Sequence, residues 1–204
     1  MINKEENKKT FLEELNKLNN IQGANISGLI DYLESTKFFD APATTKYKGS
    51  YEGGLCEHSL NVLKNMRREN ESLGLNIDDT SIIVVALLHD IYKATYFEQY
   101  VKNTKVYHEG CKKQDELGKF DWVSEHAYRV KDAEDRFVTG DNGTTSYIIV
   151  SRYIPLLNEE TIAIKNCELS FNANYQDKDM HAVLAKYPLL VLLIVSDTID
   201  TYVK

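Results

Sequence analysis

The sequence lacks several features that would assign a protein at sight. It has three cysteines in 204 residues, Cys56, Cys111 and Cys167, and no CxxC pair. An odd, scattered set argues against a disulfide framework and for a reducing compartment. Basic excess is missing too: 24 Lys and Arg against 31 Asp and Glu leave a formal net charge of -7. No global positive field exists to hold long nucleic acid, although a short phosphate-bearing substrate is compatible with this balance. No apolar run reaches the length of a membrane span. The longest, Tyr187 to Val195, is interrupted by Pro188 and ends in Ser196-Asp197. The charged opening Met1-Ile2-Asn3-Lys4-Glu5-Glu6 leads into no apolar leader segment, so a cytoplasmic location without a membrane partner is expected. Also absent are a G-x-x-x-x-G-K loop, a dinucleotide fingerprint, a local Ser or Cys nucleophile motif, internal repeats and low-complexity tracts.

What is present fits one compact domain, 1–204, since 43% hydrophobic and 27% charged residues are ordinary for a globular chain. Phe11, Leu12, Leu15 and Leu18 mark an amphipathic helix over 5–20. Leu29, Ile30 and Leu33 mark another over about 26–38, with Asn25 or Ser27 as its cap. These N-terminal helices, within 1–44, are expected to pack on the core. The paired glycines of Tyr51-Glu52-Gly53-Gly54 suit a backbone geometry or a close approach that a side chain forbids. A helix from Leu55 to about Glu71 follows, with Leu55, Val62, Leu63 and Met66 on its apolar stripe and His58 leaning toward the same face.

The run Ile82-Ile83-Val84-Val85-Ala86-Leu87-Leu88 reads as a buried helix or strand. From 96 to 138 aromatic and β-branched residues alternate with charges, predicting a hairpin or small strand insertion. Helical signals return at Thr144–Tyr153 and Asn158–Cys167, and an Asn- and Asp-rich loop spans Ser170–Lys178. A last helix, about Met180–Val203, should be kinked or started by Pro188. The expected fold is thus mainly α, an all-α helical bundle but for the small β-hairpin-like insertion.

Ionisable residues stand out at the ends of three apolar stretches: His58, the pair His89-Asp90, and Asp197. Burying an imidazole beside a carboxylate is costly unless something compensates it. A metal ion does so, because it takes neutral imidazole and ionised carboxylate together. On a helix, Lys93 would share a face with His89 and Asp90. The plainer reading of the pair alone is a helix end whose side chains reach water.

Taken together, Gly53-Gly54-Leu55-Cys56-Glu57-His58-Ser59, Leu87-Leu88-His89-Asp90-Ile91-Tyr92-Lys93 and Val195-Ser196-Asp197 resemble the HD-domain metal-dependent phosphohydrolases, particularly bacterial and phage-type members. The likeness runs over about 45–204. It implies a helical bundle in which His58, His89, Asp90 and Asp197 ligate a divalent transition metal (Mn, Fe, Co, Ni or Zn), which activates water to attack phosphorus. Asp90 and Lys93 are the implied catalytic residues, Lys93 by stabilising phosphoryl oxygens. The implied substrate is a nucleotide or other small phosphate ester.

The match also has gaps. Additional family histidines are replaced by Asp141 and Cys167, which are either substitute ligands or, more simply, a turn residue and a small buried hydrophobe. Lys48 stands where relatives often carry His. One firmly bound metal per chain is therefore expected. The same gaps motivate an alternative, a catalytically degenerate HD domain that binds a nucleotide-like ligand or a protein partner. Exonuclease action on short RNA or DNA is a weaker reading, and an oligomer is compatible with all of them. His108, His126 and His181 are expected to be surface or packing residues.

Overall fold

The computed structural model describes residues 3–168 and 178–203. Helix α1 (Lys4–Asn16) starts at Asn3, whose side chain accepts from the Glu6 amide, and continues as a 3-10 turn through Asn20. Helix α2 (Ile26–Ser35) is capped by Asn25, which accepts from the Gly28 amide. It stops before Phe38. Lys37 turns the chain with a positive φ of 58°, and Phe38 and Phe39 fold back to pack with Phe11 as three mutually contacting rings.

Helices α3 (Gly54–Leu73) and α4 (Asp79–Leu88) form the centre of the molecule. Every residue of α4 from Ser81 to Leu88 is buried, so its run is apolar all round rather than striped. It packs against α1, α3, α6 (Asn158–Lys165) and α8 (Pro188–Tyr202). The helix ends at Leu88 rather than carrying on to Lys93. His89 caps it, Asp90 leaves helical geometry at φ -104° and ψ 16°, and Ile91–Thr95 form a 3-10 turn. Neighbours on an α-helix diverge by about 100°, from 3.6 residues per turn. Breaking the helix here lets His89 and Asp90 converge.

The alternating middle third becomes a three-stranded antiparallel sheet in the order β1-β3-β2: β1 (Phe97–Tyr107), β2 (Lys113–Asp115) and β3 (Gly118–Val130). Phe97 pairs with Val130 at one end of the β1–β3 ribbon and Tyr107 with Phe120 at the other. The protein is mainly helical, but these strands make it more than all-α. Helix α5 (Asn142–Val150) then packs on α6.

In place of one final helix there are two, α7 (Lys178–Lys186) and α8, bent by 91°. Pro188 sits in the first turn of α8, where its missing N–H costs no intrahelical bond. The Asn- and Asp-rich loop expected from Ser170 lies outside the described residues as far as 177. Among the described residues no single helix is long and apolar enough to cross a membrane.

The glycine pair does what its composition suggested. Gly53 caps α3 at φ +81°, a left-handed conformation, and Gly54 lies directly against Gly49, where a Cβ would collide with the carbonyl. That contact, with the bonds Gly53 N to Asp40 O and Leu55 N to Ala41 O, fixes the 43–53 loop over the start of α3. Gly54→Ala should therefore overpack the joint and cost about 1–3 kcal/mol. Urea unfolding should show a lower midpoint with an unchanged slope; an unaltered midpoint would mean that the loop gives way freely.

Candidate metal centre

Three elements bring the predicted residues together. His58 comes from the first turns of α3, His89 and Asp90 from the break after α4, and Asp197 from the middle of α8. Asp90 Oδ2 is the hub: it lies 3.5 Å from His58 Nε2, 3.5 Å from His89 Nε2 and 2.5 Å from Lys93 Nζ. Asp197 Oδ1 is 3.2 Å from His58 Nε2. Lys93 thus reaches Asp90 from the 3-10 turn, not from a shared helical face. His58, His89 and Asp90 are buried, and their ligand atoms lie mutually within 4.8 Å, close enough to share one cation.

The imidazoles are oriented from behind. His89 Nδ1 lies 3.1 Å from the Ala86 carbonyl, which can only accept, so Nδ1 carries a proton and Nε2 is the nitrogen left to face a metal. His58 Nδ1 donates to Asp200 Oδ2 at 2.7 Å. Both Nε2 atoms are buried and have no hydrogen-bond partner. Two orphaned imidazole nitrogens beside an ionised carboxylate suit a divalent metal, and a carboxylate or backbone carbonyl behind each His is the usual support of metal ligands.

Charge in the site is tightly balanced. Burial alone would lower the His58 pKa, but the carboxylates of Asp197, Asp200 and Asp90 outweigh it and raise it well above the ordinary value. Burial would raise that of Asp90, yet the Lys93 ammonium, with His89 and His58, holds it well below the carboxylate range. Lys93 is likewise held charged: the Asp90 carboxylate overcomes the effect of burial. A pocket that favours an imidazolium among carboxylates favours a metal cation for the same reason.

Asp200 was not singled out from sequence, although its position three residues after Asp197 puts both on one face of α8. Lys48 donates to Asp200 Oδ1 at 2.5 Å and to its carbonyl at 3.0 Å, so the loop before α3 holds the residue that orients His58. Asp141 lies away from these ligands. It caps α5, accepting from the Thr144 amide at 2.6 Å, which is turn chemistry. Cys167 is close by, its thiol donating to the His89 carbonyl at 3.8 Å. Burial first, then the Asp90 and Glu168 charges, push that thiol well above its usual pKa, so it packs as a neutral group. His126 and His181 lie exposed on β3 and α7, and His108 is exposed just beyond β1.

A buried His, His-Asp cluster assembled between helices defines the class, a helical-bundle protein with a candidate divalent-metal centre. The family model of the HD domain matches residues 55–150, which include His58, His89 and Asp90. That match is consistent with the HD-domain metal-dependent phosphohydrolase superfamily, whose members are generally hydrolases that bind divalent metals. No curated protein and no solved structure matches the chain.

Asp200→Asn should leave the fold intact and weaken metal binding at this centre about 10- to 100-fold, the usual cost of losing such a supporting group. Titration with Mn2+ followed by electron paramagnetic resonance measures it. Wild-type affinity in the variant would show that Asp200 does not support the ligand.

Proposed function

We propose that the protein is a metal-dependent phosphohydrolase acting on a nucleotide or another small phosphate ester. One observation carries this reading: two buried imidazole nitrogens that make no hydrogen bond lie 3.5 Å from a carboxylate oxygen that the half-buried Lys93 ammonium already holds. His58, His89, Asp90 and Asp197 would be the ligands, and their N and O donors suit Mn, Fe, Co, Ni or Zn. A divalent ion there supplies Lewis acidity and lowers the pKa of bound water.

The remaining work falls to the chain's own groups. Asp90 stays ionised and keeps its oxygen at the hub. Lys93 holds that carboxylate in place and offers its other N–H groups to phosphoryl oxygens as negative charge grows on them. Asp200 keeps the His58 ring turned so that Nε2 faces inward. Asp197, with a side chain 34% exposed against 6% for Asp90, lies on the open side, from which a substrate would approach.

A cleft of about 340 Å³ lined by Tyr96, Arg136, Phe137, Asn142 and Glu168 suits the non-reacting part of such a substrate, being at the small end of ligand pockets. The Arg136 guanidinium lies over the Tyr96 ring at 4.6 Å, and its Nε is buried without a partner. Glu168 Oε1 accepts from Tyr92 at 3.0 Å and from Asn142 at 2.8 Å, which ties this cleft to the segment that follows Asp90.

His89→Ala and Asp90→Ala should abolish metal-stimulated phosphate release across a panel of nucleotides and phosphate esters assayed with Mn, Co, Ni, Zn and Mg. Their far-ultraviolet circular dichroism should match that of the wild type. Lys93→Ala should lower kcat by about 10²–10³, the cost of one lost donor to a developing oxyanion, while metal still binds. Normal turnover by Asp90→Ala would overturn the proposal, and tight nucleotide binding with no hydrolysis under any metal would favour a binding domain instead. Arg136→Ala should raise KM more than it lowers kcat; the reverse split would place Arg136 at the reacting phosphate.

A further inference from the structure

The far end of the β1–β3 ribbon carries a second cluster of ligand-type side chains, distinct from the HD centre. His108 follows β1, Cys111 lies in the connection to β2, and Asp121 is on β3. One ligand atom from each lies within 4.8 Å of the others. The backbone builds this proximity: His108 N donates to the Lys119 carbonyl at 3.1 Å, extending the ribbon by one pair, and Cys111 N donates to the His108 carbonyl at 3.1 Å, curling the turn back. Asp121 pairs with Val106, so in the pleat it shares a face with His108, two residues after Val106 and just past the end of β1.

Burial supplies a second observation. Between 96 and 142, only Cys111 and Phe120 are buried, and Cys111 is 6% exposed although His108, Glu109, Gly110, Lys112 and Lys113 around it are all exposed. Its sulfur is not sunk in an apolar core; it lies 3.5 Å from the Val106 carbonyl, beside the other two donors. A thiol shielded from water among an imidazole and a carboxylate is the arrangement of a soft-metal site.

We infer that His108, Cys111 and Asp121 form a zinc site that staples the tip of the ribbon. Thiolate, neutral imidazole and carboxylate are all zinc ligands, and with Zn2+ they sum to zero net charge, with water in the fourth position. The thiolate sets this site apart from the nitrogen and oxygen ligands proposed for the HD centre. A ribbon of two long strands is marginal in water on its own, so a cross-link between its strand ends and its turn has a structural use. The nearby Lys112, Lys113 and Lys119 oppose a dication and place the affinity below that of a four-thiolate centre.

The test uses the full chain titrated with CoCl2, since Co2+ replaces Zn2+ and reports sulfur ligation as a near-ultraviolet charge-transfer band. The wild type should develop the band, and excess Zn2+ should bleach it. Cys111→Ser should abolish it, and His108→Ala should weaken Co2+ binding at least about tenfold. Asp90→Asn and Cys167→Ser should keep it, which separates this site from the HD centre whatever the outcome there. No band in the wild type, a band that survives Cys111→Ser, or one lost with Cys167→Ser would overturn the assignment.

Discussion

The arrangement of the helices turns on an electrostatic constraint: three carboxylates, two imidazoles and two ammonium groups meet in one cluster, four of them buried from water. Asp90, His58 and His89 are buried together, and Asp200 is buried behind them. Such a cluster is tolerable only if each charge faces its opposite. Lys93 answers Asp90, Lys48 answers Asp200, and the inward nitrogens of the two histidines are left for a cation. The apolar helices α3, α4 and α8 supply the rigid walls that keep these groups from drifting apart.

Much of this was legible in the residues themselves. The uninterrupted apolar run from Ile82 to Leu88 announced a buried element, and the amphipathic stripe beginning at Leu55 put His58 on the inner face. Period-two alternation pointed to strands in the middle third, and Gly53-Gly54 to a constrained joint. The precise end of α4 was hidden, because nothing in Leu87-Leu88-His89-Asp90 is a helix breaker. The chain leaves the helix where Asp90 meets His58 and Lys93, contacts that local propensity does not carry.

Asp200 and Lys48 were harder to read for a different reason. The sequence shows Asp200 one turn after Asp197, but its role depends on the distance to His58, 142 positions away in the chain. Lys48 lies in a polar loop whose path depends on Gly54 lying flat against Gly49. The split of the last helix at Pro188 was foreseeable, whereas the 91° between the two pieces is set by packing. His108, Cys111 and Asp121 look unrelated until strand register brings them together.

The link from Lys48 to Asp200 and on to His58 also orders events in time. Lys48, His58, His89 and Asp90 lie upstream of α8, so a growing polypeptide presents an unfinished cluster while that helix is still being made. Segments emerge from the ribosome in sequence order. Until Asp197 and Asp200 arrive, His58 has no carboxylate at its back and the lysine of the early loop has no anchor. Completion of the proposed metal site is therefore deferred to the synthesis of α8, and an ion bound before then would meet a smaller set of donors.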